Sequence, residues 1–340
     1  MASAEDYPLE DYSRFFPTYT PSLGGNVALL ALFAVLIPIA LVMGIRYNSI
    51  VFSAALATGL ALEAMGYIGR ILLRNGPSSR SSFALFFLGT VMGPNFISGA
   101  IFHVMPRIIA VYGPEFRAWR PSWYLPVFYG LTAVSLLLEI AGGVVSTTKL
   151  ISNAIDTGVR VLAVGLAIYL IALTIFAAHA ILFAIALRTR HHILDTTYAS
   201  VYSSRLFRAF LTGYSAATSL ILLRTAFRIV VVAERFQSSV AQAEVVFLIF
   251  DGAVVFLAGA ILLILFPGRV FGRSWWEVLA HHPLSKPERP PRPEPVQLLP
   301  AQRSPGLNRA SITSSNPEYS PRKAYGPPRP RNMVDSEALW

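Results

Sequence analysis

The sequence predicts an all-α integral membrane bundle of seven transmembrane helices with a disordered cytoplasmic tail. Three observations predict it. Of 340 residues, 54% are hydrophobic and only 14% are charged, against about 25% charged in an ordinary soluble domain. The apolar residues fall in long runs rather than alternating with polar ones. Seven of those runs reach the ~20 residues that a helix needs to cross a bilayer. A soluble enzyme is thereby excluded. With no cysteine in the chain, so are a disulfide-stapled secreted domain, a thiolate metal site and S-palmitoylation. The net charge of +10 would raise nucleic acid in a soluble chain, but here the basic residues lie in loops and tail, so no nucleic-acid partner is expected.

Residues 1–25 carry Glu5, Asp6, Glu10 and Asp11 and read as an extracellular N-terminal segment. A stretch this polar before an apolar run this long is not a removable signal peptide. The spans follow at roughly 26–45, 50–72, 83–111, 124–145, 161–187, 210–233 and 244–266, within a seven-helix domain over 26–272. Lysine and arginine set orientation. With the N-terminus outside, the inner segments hold eleven of them near the membrane and the outer segments seven, so the C-terminus is expected inside. The remainder, 273–340, is proline-rich: thirteen of the 24 prolines lie from Pro283 onward. It cannot bury enough apolar surface to offset its ordering entropy and is expected to be a disordered cytoplasmic tail. Trp275 and Trp276 fit the inner interface, where indole rings are at home. The stretch 287–295 reads either as a plain solvated tail or as a polyproline ligand for an SH3-like partner. Ser311, Ser314 and Ser315 read as candidate phosphorylation sites, without a strong motif around them.

The informative residues are the charges inside the spans, each costing about 2.5–3.5 kcal/mol at mid-membrane. They are acidic Glu63, Glu139, Glu244 and Asp251, and basic Arg70, Arg107, Arg224 and Arg228. Four against four argues for pairing. From the helix rise, Asp251 lies ~10–12 Å from the outer end of its span, Arg224 and Arg228 ~9–15 Å, Glu63 ~13 Å and Glu139 ~10 Å. Four helices thus contribute to one layer in the outer half, while Arg107, near the inner face, can snorkel. Glu63, Gly66, Tyr67 and Arg70 share one helical face; Arg224 and Arg228 are one turn apart, Glu244 and Asp251 two. Two readings stand. One is a water-accessible outer vestibule with Arg224 or Arg228 paired to Asp251. The other is a set of structural salt bridges that orders the bundle.

The third span is interrupted by Gly93-Pro94, with Asn95 beside it, and reads as a hinge or as a static kink. Gly142-Gly143 permits close helix approach in the fourth. No lysine lies in a span, which excludes a retinal Schiff base, and no phosphate-cradling loop is present. Only His103 and His179 lie in spans, too few for a zinc hydrolase site. No cofactor or metal is expected.

Several separated motifs resemble the fungal lipid-translocating exporters. These are the RTA-like seven-helix proteins associated with resistance to aminocholesterol and to sphingoid long-chain bases. Glu63-Ala-Met-Gly66-Tyr67-Ile-Gly-Arg70 matches E-x-x-G-Y-x-x-R. Pro106-Arg107-Ile108-Ile109 is similar to G-R-I-I, and Ser135 to Gly143 follows S-x-x-x-Q-x-x-G-G. Arg224-Thr-Ala-Phe227-Arg228 resembles R-x-x-[FY]-R, followed by Glu234, Glu244, Phe250-Asp251 and Pro267-Gly268. The likeness spans about 26–271. Departures are His103 for tyrosine, Thr132 for aspartate, Glu139 for glutamine, Val231 for glutamate and Phe266 for histidine.

The resemblance implies a plasma-membrane protein, not an enzyme, that moves or exports amphipathic lipids such as sphingoid bases, or confers resistance to toxic amphiphiles. On that footing Glu63, Glu139 and Asp251 receive a cationic headgroup and Arg224 and Arg228 hold those acids until substrate competes. Tyr67, Arg70 and Glu244 complete the substrate-binding set, and the partners are a lipid or amphiphile and the bilayer. The alternative is a seven-helix sensor for a lipid or small amphiphile, signalling through its tail. An intramembrane enzyme ranks last, for want of a convergent nucleophile or metal set.

Overall fold

The structure is a computed structural model that describes residues 20–75, 79–113, 121–147, 154–189, 196–234 and 243–281. The N-terminal acids, the stretch 287–295, Ser311, Ser314 and Ser315 lie outside the described residues. Seven helices are long and apolar enough to cross a membrane, and the described residues hold no β-strand. The first six are α1 (Leu23–Arg46), α2 (Ile50–Asn75), α3 (Arg80–Tyr112), α4 (Pro121–Thr147), α5 (Ala154–Thr189) and α6 (Arg205–Ala233). The seventh, α7, is composite: an α-turn Glu244–Phe247, a π-helical stretch Leu248–Ala253 and an α-helix Val254–Ile264. Two short helices follow, α8 (Pro267–Phe271) and α9 (Ser274–His281).

Each span agrees with its apolar run, and the differences have local causes. Helix α5 begins at Ala154, ahead of the apolar run, with Asp156 in its first turn. The unpaired N–H groups there favour an acid. Helix α3 is not interrupted at Gly93-Pro94: it runs unbroken through Pro94 and Pro106. Ser79 and Ser204 cap α3 and α6 by accepting from the backbone N–H of Ser82 and Phe207.

Packing is close where side chains are missing. Helices α2 and α3 meet through Gly59, Gly66, Gly69, Gly89 and Gly93. A Cβ on Gly89 would lie 2.5 Å from the Gly66 nitrogen and the Leu62 carbonyl, so no side chain fits there. Helices α4 and α5 meet in the same way at Gly142 and Gly158, a Cβ on Gly142 falling 2.5 Å from the Leu162 nitrogen. Small residues allow such backbone approach between helices that gain no hydrophobic advantage from leaving lipid. The large apolar residues left exposed, among them Val35, Val42, Leu137, Ile181 and Ile264, form the lipid-facing surface.

The end of the bundle opposite Glu244 is closed by aromatic rings. Phe207 packs on Phe271 and Phe271 on Trp275, with centroids 5.3 and 5.6 Å apart. Phe271, at the end of α8, and Trp275 and Val278 of α9 are all buried; Trp275 and Val278, three residues apart, share the face of α9 that packs against the bundle. Of the two tryptophans expected at the interface, only Trp276 is exposed; Trp275 is core. Arg107 is also corrected. It does not snorkel but lies buried with its guanidinium 4.0 Å from the Trp275 ring centroid. It donates to the carbonyls of His103 (3.0 Å) and Trp275 (3.4 Å).

Gly89→Val should lower the stability of the detergent-solubilised protein by about 1–3 kcal/mol or more, as overpacking does. Gly130→Ala, where nothing lies within 4 Å of the new methyl, should be neutral. Thermal unfolding of the two variants side by side checks this.

Candidate functional site

Asp251 sits inside the π-helical stretch of α7, a type of helix irregularity frequent at functional sites. Its carboxylate takes both arginines of α6. Arg224 Nε lies 2.7 Å from Oδ1 and Arg228 Nη1 donates to Oδ2 at 3.0 Å. One turn separates the arginines on α6, so a single acid reaches both. All three side chains are buried. In hydrocarbon a lone charge is expensive, and pairing is what makes these tolerable.

Pro94 adds a third tie. Proline has no N–H, so the carbonyl four residues earlier loses its helical donor. That carbonyl belongs to Thr90, and Arg224 Nη2 donates to it. Helix α3 therefore stays continuous because a guanidinium from α6 supplies the missing donor. Arg228 lies beside the same residue, its Nη2 3.5 Å from Thr90 Oγ1, with its guanidinium 5.5 Å from the Phe87 centroid.

Glu63 and Tyr67 approach this cluster from α2. A Cβ on Gly93 would fall 2.8 Å from Glu63 Cγ and Oε1, so Glu63 rests where α3 offers no side chain. Both its oxygens are buried without a hydrogen-bond partner, and Arg224, Asp251 and Arg228 act on it through space. Tyr67 stacks on Phe33 at 5.7 Å, with its hydroxyl over Gly252. That hydroxyl is buried and also lacks a partner.

Two further groups stand apart. On α4, Glu139 is buried; Asn95 Nδ2 donates to its Oε2 and Ser135 Oγ lies against its Oε1, each at 2.7 Å. At the Glu244 end, Arg70 Nε donates to Asn26 Oδ1 (2.8 Å) and Nη2 lies 3.4 Å from Glu244 Oε1. The Arg70 guanidinium is held between rings, 4.0 Å from the Phe247 centroid and 5.2 Å from that of Phe86. Glu244 Oε1 also accepts from the Ser22 backbone N–H at 2.7 Å.

The expected residues thus come together, but not as one layer. Arg70 and Glu244 form an end tier about two turns, ~10 Å, from Asp251 and Glu63. Glu139 forms a lateral branch between α3 and α4. An open vestibule is not what the structure holds: Glu63, Glu139, Arg224 and Asp251 have no exposed surface, and Tyr67 has none either. The reason is the glycine-mediated contact of α2 with α3, which seals the layer on that side. Nor is pairing general, since neither Glu63 nor Glu139 accepts from an arginine. Sequence reasoning missed Thr90, Asn26 and Ser22. For Thr90 a signal existed, because it stands four residues before Pro94; Asn26, an amide opening a span, was a weaker one.

Unpaired capacity is concentrated here: both Glu63 oxygens, the Tyr67 hydroxyl, Arg224 Nη1, Arg228 Nε and Asn95 Oδ1. A buried polar network left partly unsatisfied is costly, and this one can exchange partners with an incoming cation or hydroxyl. Among the described residues no three His, Cys, Asp or Glu side chains converge to hold a metal ion.

Fold and site together define a multi-pass membrane protein whose polar centre is buried between its helices. The model of the family described as RTA1 like protein matches residues 56–274, and the chain belongs to that family. It is similar to the sphingoid long-chain base transporter RSB1 of Saccharomyces cerevisiae strain Lalvin EC1118, 28% identical over 158 residues. Against the same-named protein of strain ATCC 204508 / S288c the identity is 27% over 158 residues. In each case the match covers 46% of this chain and 41% of the relative, so the chain spans less than half the length of these curated relatives. No solved structure matches.

Asp251→Asn should cost about 3–5 kcal/mol, because it strands two buried arginines. Adding Arg228→Gln should recover part of that loss, since fewer charges are then unpaired. Unfolding of the single and double variants in detergent measures both, and equal stability of Asp251→Asn and the native protein would contradict the pairing.

Proposed function

We propose that this protein moves amphipathic lipids of the sphingoid long-chain base class across a bilayer, with Glu63, Glu139 and Asp251 as the acids that receive the cationic headgroup. The observation that carries this is Glu63. It is a fully buried carboxylate in mid-span with both oxygens unpaired, beside an aspartate that two arginines already occupy. An ammonium is the ligand such a carboxylate lacks. Three donors on one charged nitrogen match Glu63, Asp251 and the Tyr67 hydroxyl, and charge-assisted bonds are the strong ones. Membership of the RTA1-like family and the printed name of the relatives point the same way.

The residues divide the work. Arg224 and Arg228 neutralise Asp251 when no headgroup is present and yield it when one arrives. The Arg70–Glu244 pair, the longer and more exposed ion pair, is the barrier that opens first at its end of the bundle. The hydrocarbon tail stays in lipid beside the glycine-lined α2–α3 seam while the headgroup passes inside. The excess of basic residues at the odd-numbered connections and near α9 supports a C-terminus in the cytoplasm and an N-terminus outside, and the family likeness supports the plasma membrane. No covalent bond of the lipid is made or broken in this reading.

The test is transbilayer movement of a labelled sphingoid base in liposomes holding the purified protein. Glu63→Gln should slow it about ten- to a hundredfold, the loss of a charge-assisted contact of about 1.5–3 kcal/mol. Movement unaffected by Glu63→Gln and by Asp251→Asn overturns the headgroup site. Saturable binding without movement would make the protein a sensor instead.

A further inference from the structure

Taken over the whole bundle the in-span charges are four against four, but within the central cluster they do not balance, and that local imbalance locates a proton. Around the centre stand two guanidiniums, Arg224 and Arg228, and three carboxyls, Asp251, Glu63 and Glu139, all buried. Arg70 and Glu244 offset each other in the end tier, and Arg107 lies at the opposite end against Trp275. A net charge in hydrocarbon is penalised heavily, so neutrality asks for one proton shared among three acids. Both Asp251 oxygens face arginine donors, which leaves no acceptor there for a proton.

Ser135 distinguishes the remaining two. Its Oγ is 2.7 Å from Glu139 Oε1 and 2.8 Å from the Gly165 carbonyl oxygen. A serine has one proton to give, and a carbonyl only accepts. If Glu139 were ionised, one of these two short contacts would set an acceptor against an acceptor. With a proton on Oε1 every contact is matched. Glu139 donates to Ser135 Oγ, Ser135 donates to Gly165, and Asn95 Nδ2 donates to Oε2 at 2.7 Å. Glu63 has no such acceptor, since no hydrogen-bonding group reaches its oxygens. The charged groups that act on Glu139 are Arg224 and Arg228 from α6, and α5 presents Tyr169; α3 presents neutral Asn95.

We propose that Glu139 is a proton-binding site, neutral in this closed conformation, and that it exchanges its proton for the cationic headgroup one for one. The second part rests on the function proposed above. The ammonium enters with its charge, the O–H bond of Glu139 breaks, the electron pair stays on Oε1, and the proton leaves to the aqueous phase. Arg224 or Arg228, released from Asp251, faces the new carboxylate. Charge at the centre is zero before and after. A proton returning from the acidic side displaces the amine toward that side, so a proton gradient supplies the driving force and no nucleotide site is needed.

Infrared difference spectra of the full chain in detergent test the site without any substrate. At neutral pH the native protein should show the carbonyl stretch of a buried protonated carboxyl. Glu139→Gln, which keeps the shape and the donor, should remove that band; Glu63→Gln should keep it; Ser135→Ala, which removes the acceptor, should shift it. Absence of the band from the native protein, or its survival in Glu139→Gln, overturns the proton site. Sphinganine is then added in weak buffer with a pH indicator. The native protein should release a proton for each bound amine, and Glu139→Gln should bind the amine more weakly and release none. Binding without release by the native protein overturns the exchange. If sphinganine does not bind at all, the proposed substrate class fails, and the infrared band alone decides on the proton.

Discussion

The double contact of Asp251 with Arg224 and Arg228 is the interaction on which the closed bundle depends. It joins α6 to α7, and through Arg224 it reaches the Thr90 carbonyl of α3. Three helices are therefore tied at one point in the hydrocarbon, where water offers no competing partner. Removing the acid would leave two cations unpaired, with the carbonyl and hydroxyl of Thr90 as the hydrogen-bond acceptors they keep among the described residues. That dependence also makes the contact a natural switch: any ligand that takes Asp251 frees two arginines and loosens α3 in the same act.

Backbone irregularity and charge are matched to each other. The π-helical stretch Leu248–Ala253 brings Asp251 to the arginines, and Pro94 frees the carbonyl that one of them needs. Gly93 leaves the space that Glu63 fills. Each of these three backbone features has a polar side chain from another helix beside it. This is how non-ideal backbone is accommodated inside a bilayer, where every unpaired group must find a partner within the protein.

Much of this was legible in the sequence. The spans were visible because a bilayer demands apolar length, and Glu63, Arg224, Arg228 and Asp251 stood out because charge in a span is expensive. The family likeness over the same motifs agrees with the family model. What the pattern could not convey was partnership. Glu244 and Asp251 are two turns apart on an ideal helix, yet the π stretch between them changes the phase, and they join different tiers. Arg107 read as a snorkelling side chain because its cover, Trp275, sits 168 residues away on a helix that only tertiary packing reveals. The closure of the layer depends on glycine pairs such as Gly66 and Gly89, whose meaning is set by which helix lies opposite.

A closed ionic centre that must open to receive a headgroup is the central claim, and the absence of cysteine from the chain makes it directly measurable. Thr90→Cys places one thiol at the centre, where the native side chain is fully buried. Its rate of modification by a membrane-impermeant cationic thiosulfonate should be very low in liposomes and should rise when sphinganine is added. Rapid labelling without the amine, or labelling that the amine leaves unchanged, would contradict a buried centre that opens to its ligand.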